Sequence, residues 1–184
     1  MIYLIGGAPR VGKTTLTQRI VAQMGIGWVS TDALMTLLRA KEVEGVPNEW
    51  NADPEAIIAT ADWFFPCLEQ FIWSVSSLAE HYIIEGVNFL PTHVKTLSEK
   101  YPVRTVFLGC ANLTLERFDQ FPGHSKGYAQ LPEKMRRRIV HDVPLWSNFI
   151  QKEAIAFNYP YIDTSDNFSQ RLNEAETTLT SSRV

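Results

Sequence analysis

Cysteine is scarce in this chain of 184 residues: Cys67 and Cys110 are the only two, set in apolar surroundings without C-x-x-C or metal-ligand spacing. Neither a disulfide scaffold nor a zinc site is expected, and two buried, reduced thiols in a cytosolic protein fit this usage. No apolar run approaches the roughly 18 residues that a membrane span needs. The first apolar strand opens at Ile2, which leaves no room for a signal peptide, so a soluble, cytoplasmic protein without a membrane partner is expected. Basic charge is not in excess either. Lys and Arg number 17 against 20 Asp and Glu, a net charge of −3, and no overall field favours a nucleic acid. Internal repeats, low-complexity tracts and heptads are absent. A chain of this length with 45% hydrophobic residues supplies one well-buried core, so residues 1–184 are expected to form a single domain acting on small molecules.

What the chain does carry is concentrated near its start. Gly7-Ala8-Pro9-Arg10-Val11-Gly12-Lys13-Thr14 spells G-x-x-x-x-G-K-T, followed by Thr15. The run Ile2-Tyr3-Leu4-Ile5 precedes it as a strand, and the stripe Leu16, Ile20, Met24 follows it at helical spacing. In that context the motif is a phosphate-cradling loop. Its glycines let backbone N–H groups turn inward, Lys13 sets a cation on the β- and γ-phosphates, and the Thr14 hydroxyl is the expected magnesium ligand. ATP and Mg2+ are the cofactors this predicts.

Apolar runs recur at Ile2–Ile5, Trp28–Val29, Tyr82–Ile84, Val103–Leu108 and Tyr159–Ile162, with helical periodicity between them. Such alternation predicts an α/β fold with a parallel sheet covered on both faces. Right-handed crossovers bring all strand carboxyl ends to one edge, where the loop, Asp32, Glu85 and Asn112 then meet. A helix is predicted from about Gly12 to Gly25, a second from Asp32 to Lys41, and Glu42–Asn51 reads as a loop. The next helix opens on Asp53-Pro54-Glu55 and carries a long apolar stripe with Trp63 and Trp73, near Trp50; Pro66 should kink or split it. That stripe is either plain core or a mobile substrate cover. Asn112 is expected to cap a helix through Phe118. Phe121–Pro132, with Pro122, Gly123, Gly127 and Pro132, reads as a lid, and a basic helix follows from Glu133, interrupted at Pro144. Thr177–Val184 is expected to fray.

Asp32, just after the second strand in Ser30-Thr31-Asp32, can accept the proton of an attacking hydroxyl, hold magnesium through water, or simply cap a helix. Arg39, two turns further, meets an anionic acceptor or is solvated surface. Glu85 ends the strand Tyr82-Ile83-Ile84, a hydrophobic strand followed by an acid whose carboxylate orients magnesium or its water. Asn88 and His93 follow in a loop, facing acceptor or solvent. Lys134, Arg136, Arg137 and Arg138 make a dense positive turn, of which one or two should face a transferring phosphoryl, since consecutive helix positions diverge by about 100°. Arg10 faces either the acceptor or solvent, and Arg117 is a further cationic candidate.

The ordered set GAPRVGKTT, STD, IIEGVNFLP, VFLGCANLTLERF and EKMRRRIVHD resembles the P-loop small-molecule kinases of the nucleoside-monophosphate-kinase type. The resemblance spans most of the chain and implies a three-layer P-loop fold whose five-stranded parallel sheet has the order 2-3-1-4-5, with a short lid at about 119–133 and an acceptor-side helical segment at about 42–80. It further implies Glu85-Gly86 at the end of the third strand, Arg117 stacked on adenine, and Arg138 and then Arg136 on the phosphoryl groups. Where that family continues Phe-Pro-Arg to hold an acceptor nucleotide, this chain has Val87-Asn88-Phe89, so an AMP-type acceptor is disfavoured. Ile84-Glu85-Gly86-Val87 with Pro91 is similar to 2-phosphoglycerate kinase and related metabolite kinases.

The expected activity is therefore ATP- and magnesium-dependent phosphoryl transfer to a small acceptor that is anionic or hydroxyl-bearing. The alternative is a nucleotide-switched NTPase or binding module acting on a protein partner. It is disfavoured because neither an Asn-Lys-x-Asp base-reading motif nor a Ser-Gly-Gly signature occurs.

Overall fold

The computed structural model describes residues 1–41, 43–45, 51–120 and 130–181. Along the chain lie β1 (Ile2–Gly7), α1 (Lys13–Met24), β2 (Gly27–Ser30), α2 (Thr31–Ala40), α3 (Pro54–Ser76), β3 (Tyr82–Glu85), α4 (Pro91–Ser98), β4 (Val103–Gly109), α5 (Leu115–Gln120), α6 (Glu133–Ala156), β5 (Tyr161–Asp163) and α7 (Phe168–Thr180). All five strands are parallel and stand in the order β2-β3-β1-β4-β5, as the resemblance implied. The central strand, β1, is buried along its whole length because helices cover both faces of the sheet. Leu4, Ile5, Ile83, Ile84, Val106 and Phe107 are fully shielded, and each such side chain contributes about 1.5–3 kcal/mol by leaving water.

Several local readings are met closely. Gly25 ends α1 in the left-handed region at φ 65°, and Pro54 opens α3. Others are corrected. Both α3 and α6 run unbroken through Pro66 and Pro144. A proline removes one helical hydrogen bond at a cost of about 3 kcal/mol, which burial of Phe64, Leu68 and Ile72 in α3, and of Val143 and Ile150 in α6, offsets. The apolar stripe of α3 is core rather than cover, although Trp73 and Leu78 point to solvent. Thr177–Thr180 do not fray: Leu179 is buried, and Arg104 Nη1 donates to the carbonyls of Thr180 and Ser181 at 3.1 and 3.0 Å. Asn112 caps nothing, because α5 begins later and the Thr114 hydroxyl accepts the Arg117 N–H at 3.2 Å. Of the two thiols, Cys110 is buried but Cys67 is exposed. Trp50, most of the Glu42–Asn51 loop and the body of the lid lie outside the described residues. Among those described, no helix is long and apolar enough to cross a membrane.

Candidate active site

The residues between β1 and α1 fold into a loop held from below by its neighbours. The Ala8 N–H donates to the Leu108 carbonyl at 3.1 Å. The Thr164 hydroxyl lies 3.1 Å from the Val11 carbonyl and 3.0 Å from that of Gly109, bridging the loop to β4. Gly12, the residue before α1, takes φ 98°, a value side chains resist, and a Cβ there would run into the Phe168 ring. No side chain caps α1 and no acid occupies its first turn, in which Lys13, Thr14 and Thr15 stand. An N-terminus of this kind presents backbone N–H groups and the positive end of the helix dipole to an anion.

Lys13 is buried, and its ammonium donates to the Ala8 carbonyl at 2.6 Å. Burial lowers its pKa, and the nearby carboxylates of Glu85 and Asp32 oppose that shift. The three side chains thus share one electrostatic site although they come from α1, β3 and α2. Glu85 is likewise buried, and the Thr14 hydroxyl donates to its Oε1 at 3.2 Å. The carboxyl ends of β2 and β3 meet here, with Ser30 in register with Glu85. Ser30 Oγ accepts the Asp32 N–H at 3.3 Å, so the cap of α2 is Ser30, and the Asp32 carboxylate is exposed.

This donor set fits a nucleoside triphosphate with a divalent cation. Among the described residues no three His, Cys, Asp or Glu side chains converge to cage a metal by themselves. Magnesium in a phosphate site needs only one or two protein oxygens, because phosphates and water supply the others. Thr14 and Glu85, in contact with each other, and Asp32, near the same lysine, carry oxygens of the required kind.

On the far side of the loop an open cavity of about 420 Å³ lies between the start of α5 and the turn into α7, lined by Thr114, Arg117, Gln120, Ser165, Asp166 and Phe168. The Arg117 guanidinium donates to the Thr164 carbonyl, which fixes it at the rim. Ser165 and its neighbours escaped the sequence reading. Thr164-Ser165-Asp166, one residue past the fifth apolar run and at the same sheet edge, was the available signal.

The remaining candidates fall as follows. Arg10, at φ 65°, lies 4.7 Å over the Phe118 ring. Arg136 pairs with Asp119, joining α6 to α5, while Arg137 pairs with Glu133 and Arg138 with Asp142 at 3.4 Å. Arg39 is exposed on α2. His93 is not in a loop and not solvated: it is buried in α4, stacked on Phe65 at 4.6 Å. Its Nδ1 accepts the Leu90 N–H at 3.1 Å, so the proton sits on Nε2, 2.9 Å from Asp62 Oδ1. Phe89, at the position where the resembling family has its acceptor arginine, is fully buried in the core.

No protein-family model matches the chain, and no curated protein matches it. Solved structures do. A shikimate kinase from Bacteroides thetaiotaomicron superposes with a TM-score of 0.55 at 11% identity, over 96% of this chain and 94% of that one. A sugar kinase from Janibacter sp. HTCC2649 superposes with a TM-score of 0.50 at 18% identity, over 97% and 93%. At such identities the likeness is one of fold: the chain has the architecture found in P-loop small-molecule kinases.

Proposed function

We propose that this protein is a kinase that transfers the γ-phosphoryl group of ATP, with Mg2+, to a small metabolite. The observation that carries the reading is the convergence of Lys13, Glu85 and Asp32 on one sheet edge beside an uncapped helix N-terminus. Bound magnesium would neutralise phosphate charge. The protein's own part is to hold the phosphates on the loop from Gly7 through Thr15, with Lys13 opposite the β- and γ-phosphates and Thr14 and Glu85 toward the metal. Asp32, released from capping by Ser30, orients the acceptor hydroxyl and takes its proton. The cavity beside Arg117 suits the nucleoside base, whose face a guanidinium can cover. Arg136 and Arg138 would exchange their carboxylate partners for the transferring phosphoryl when ATP and acceptor bind.

The acceptor is read as a hydroxyl compound. From Glu42 to Val94 the chain has no lysine or arginine, so an anionic acceptor would have to draw its cations from Arg39, Lys41 or α6. Free thiols and the need for ATP fit the cytoplasm. The test is to incubate the protein with ATP, Mg2+ and a metabolite extract and to search by mass spectrometry for a species heavier by one phosphoryl group. ATP consumed without any such product would point to hydrolysis and against a kinase.

A further inference from the structure

Asn88 and Thr31 are both buried, and neither is a predicted ligand of the phosphates or the metal. The Asn88 amide Nδ2 donates to Thr31 Oγ1 at 3.0 Å. Thr31 is the first residue of α2, immediately before Asp32, while Asn88 lies three residues after Glu85. Between them sits Gly86, where any Cβ would overlap the Thr31 hydroxyl. The close approach therefore requires glycine. With Ser30 in register with Glu85, the start of α2 is fastened to the end of β3 at three successive points: a backbone ladder, a missing side chain and a buried hydrogen bond. The two carboxylates that face Lys13 are carried on the two halves of this clasp.

We propose that Asn88 and Thr31 form a positioning pair that sets the distance between the Asp32 and Glu85 carboxylates, and so the affinity of the site for the divalent cation bound with the nucleotide. This rests on the kinase reading above. It departs from the expectation that Asn88 contacts the acceptor, because Asn88 is buried and one of its two amide N–H donors is committed to Thr31. A buried polar bond of this kind holds its partners only while both ends are present: removing either leaves the other unsatisfied and lets α2 shift against β3. Outer-shell partners of metal ligands typically change metal affinity 10- to 100-fold when removed.

The probes are ATP alone and ATP with Mn2+, measured by calorimetry and by Mn2+ electron paramagnetic resonance on the full chain. Asn88→Ala and Thr31→Val should each weaken Mn2+ binding to the ATP-loaded protein by about tenfold or more, while affinity for ATP without metal stays within about twofold of wild type. The double variant should be no worse than either single one, and Thr31→Ser should restore the wild-type value. Denaturation of the wild type, Asn88→Ala, Thr31→Val and the double variant should show the same non-additivity with no nucleotide present. If Asn88→Ala loses its melting transition, Thr31→Val, which keeps the side-chain shape, carries the measurement. Wild-type Mn2+ affinity in a folded variant, or strictly additive effects, overturns the pair. A wild-type protein that binds no ATP overturns the kinase reading, and the pair's role with it.

Discussion

Ser30 Oγ accepts the backbone N–H of Asp32 and so caps α2, leaving the Asp32 carboxylate exposed beside the buried Lys13. Capping, one of the roles open to Asp32 in the sequence, thus falls to Ser30. The assignment can be measured. Ser30→Ala should cost about 1 kcal/mol of stability, the usual value of a lost cap. Asp32→Asn should leave the melting temperature and ATP affinity nearly unchanged, yet lower phosphoryl transfer by the roughly 10²–10⁴-fold of lost general-base help. Near-wild-type transfer by Asp32→Asn removes that residue from the mechanism.

Lys13 is buried at the end of the loop, near the carboxylates of Glu85 and Asp32. Lys13→Ala should weaken ATP binding by about 2–5 kcal/mol, roughly 30-fold to several thousand-fold, the range for truncating one member of a buried charged contact. Titration of the folded variant with ATP checks this. An unchanged dissociation constant would move the nucleotide site elsewhere.

Glu85 accepts the Thr14 hydroxyl and has almost no exposure. The expected role is toward the metal, so Glu85→Gln should keep ATP binding within a few-fold and raise the magnesium concentration needed for half-maximal transfer. A variant with a wild-type metal response would make Glu85 a structural acid.

The fold was legible because its signals are strong and local. Five apolar runs alternate with helical stripes, and the loop motif fixes which sheet edge matters. Lys13 and Thr14 were singled out by the loop motif, and Asp32 and Glu85 by their place at strand ends, the one just past β2 and the other closing β3. Thr164 and Ser165 were missed because hydroxyl residues after a short strand look like any turn, and only the tertiary bonds to Val11 and Asn112 reveal their place. His93 was misplaced because Pro91, which opens α4 as Pro54 opens α3, was not read as a helix start. Its burial depends on Phe65 and Asp62 from a helix some thirty residues earlier. The split at Pro66 and the interruption at Pro144 are absent for the converse reason: local breaking was overruled by burial of the helices' apolar faces.

His93 also gives the chain a pH response that is independent of nucleotide. Burial lowers its pKa below the ordinary value of 6.5, with the hydrogen bond and charge of Asp62 opposing the shift. Protonation would place a second N–H on Nδ1, where the Leu90 N–H already points, and the contact would change from a bond to a repulsion. Below about pH 6.5 the unfolded chain binds a proton that the folded chain refuses, so stability falls as the pH falls. The contribution is fully present above the unfolded value, is lost as the pH drops toward and through the folded one, and is constant beneath it. Melting temperatures between pH 8 and pH 5.5 should therefore decline on the acid side in the wild type, and the decline should be shallower in His93→Gln, whose amide can still accept from Leu90. The difference between the two curves isolates His93 from carboxylates that both proteins share. Parallel curves would show that another group carries the acid response.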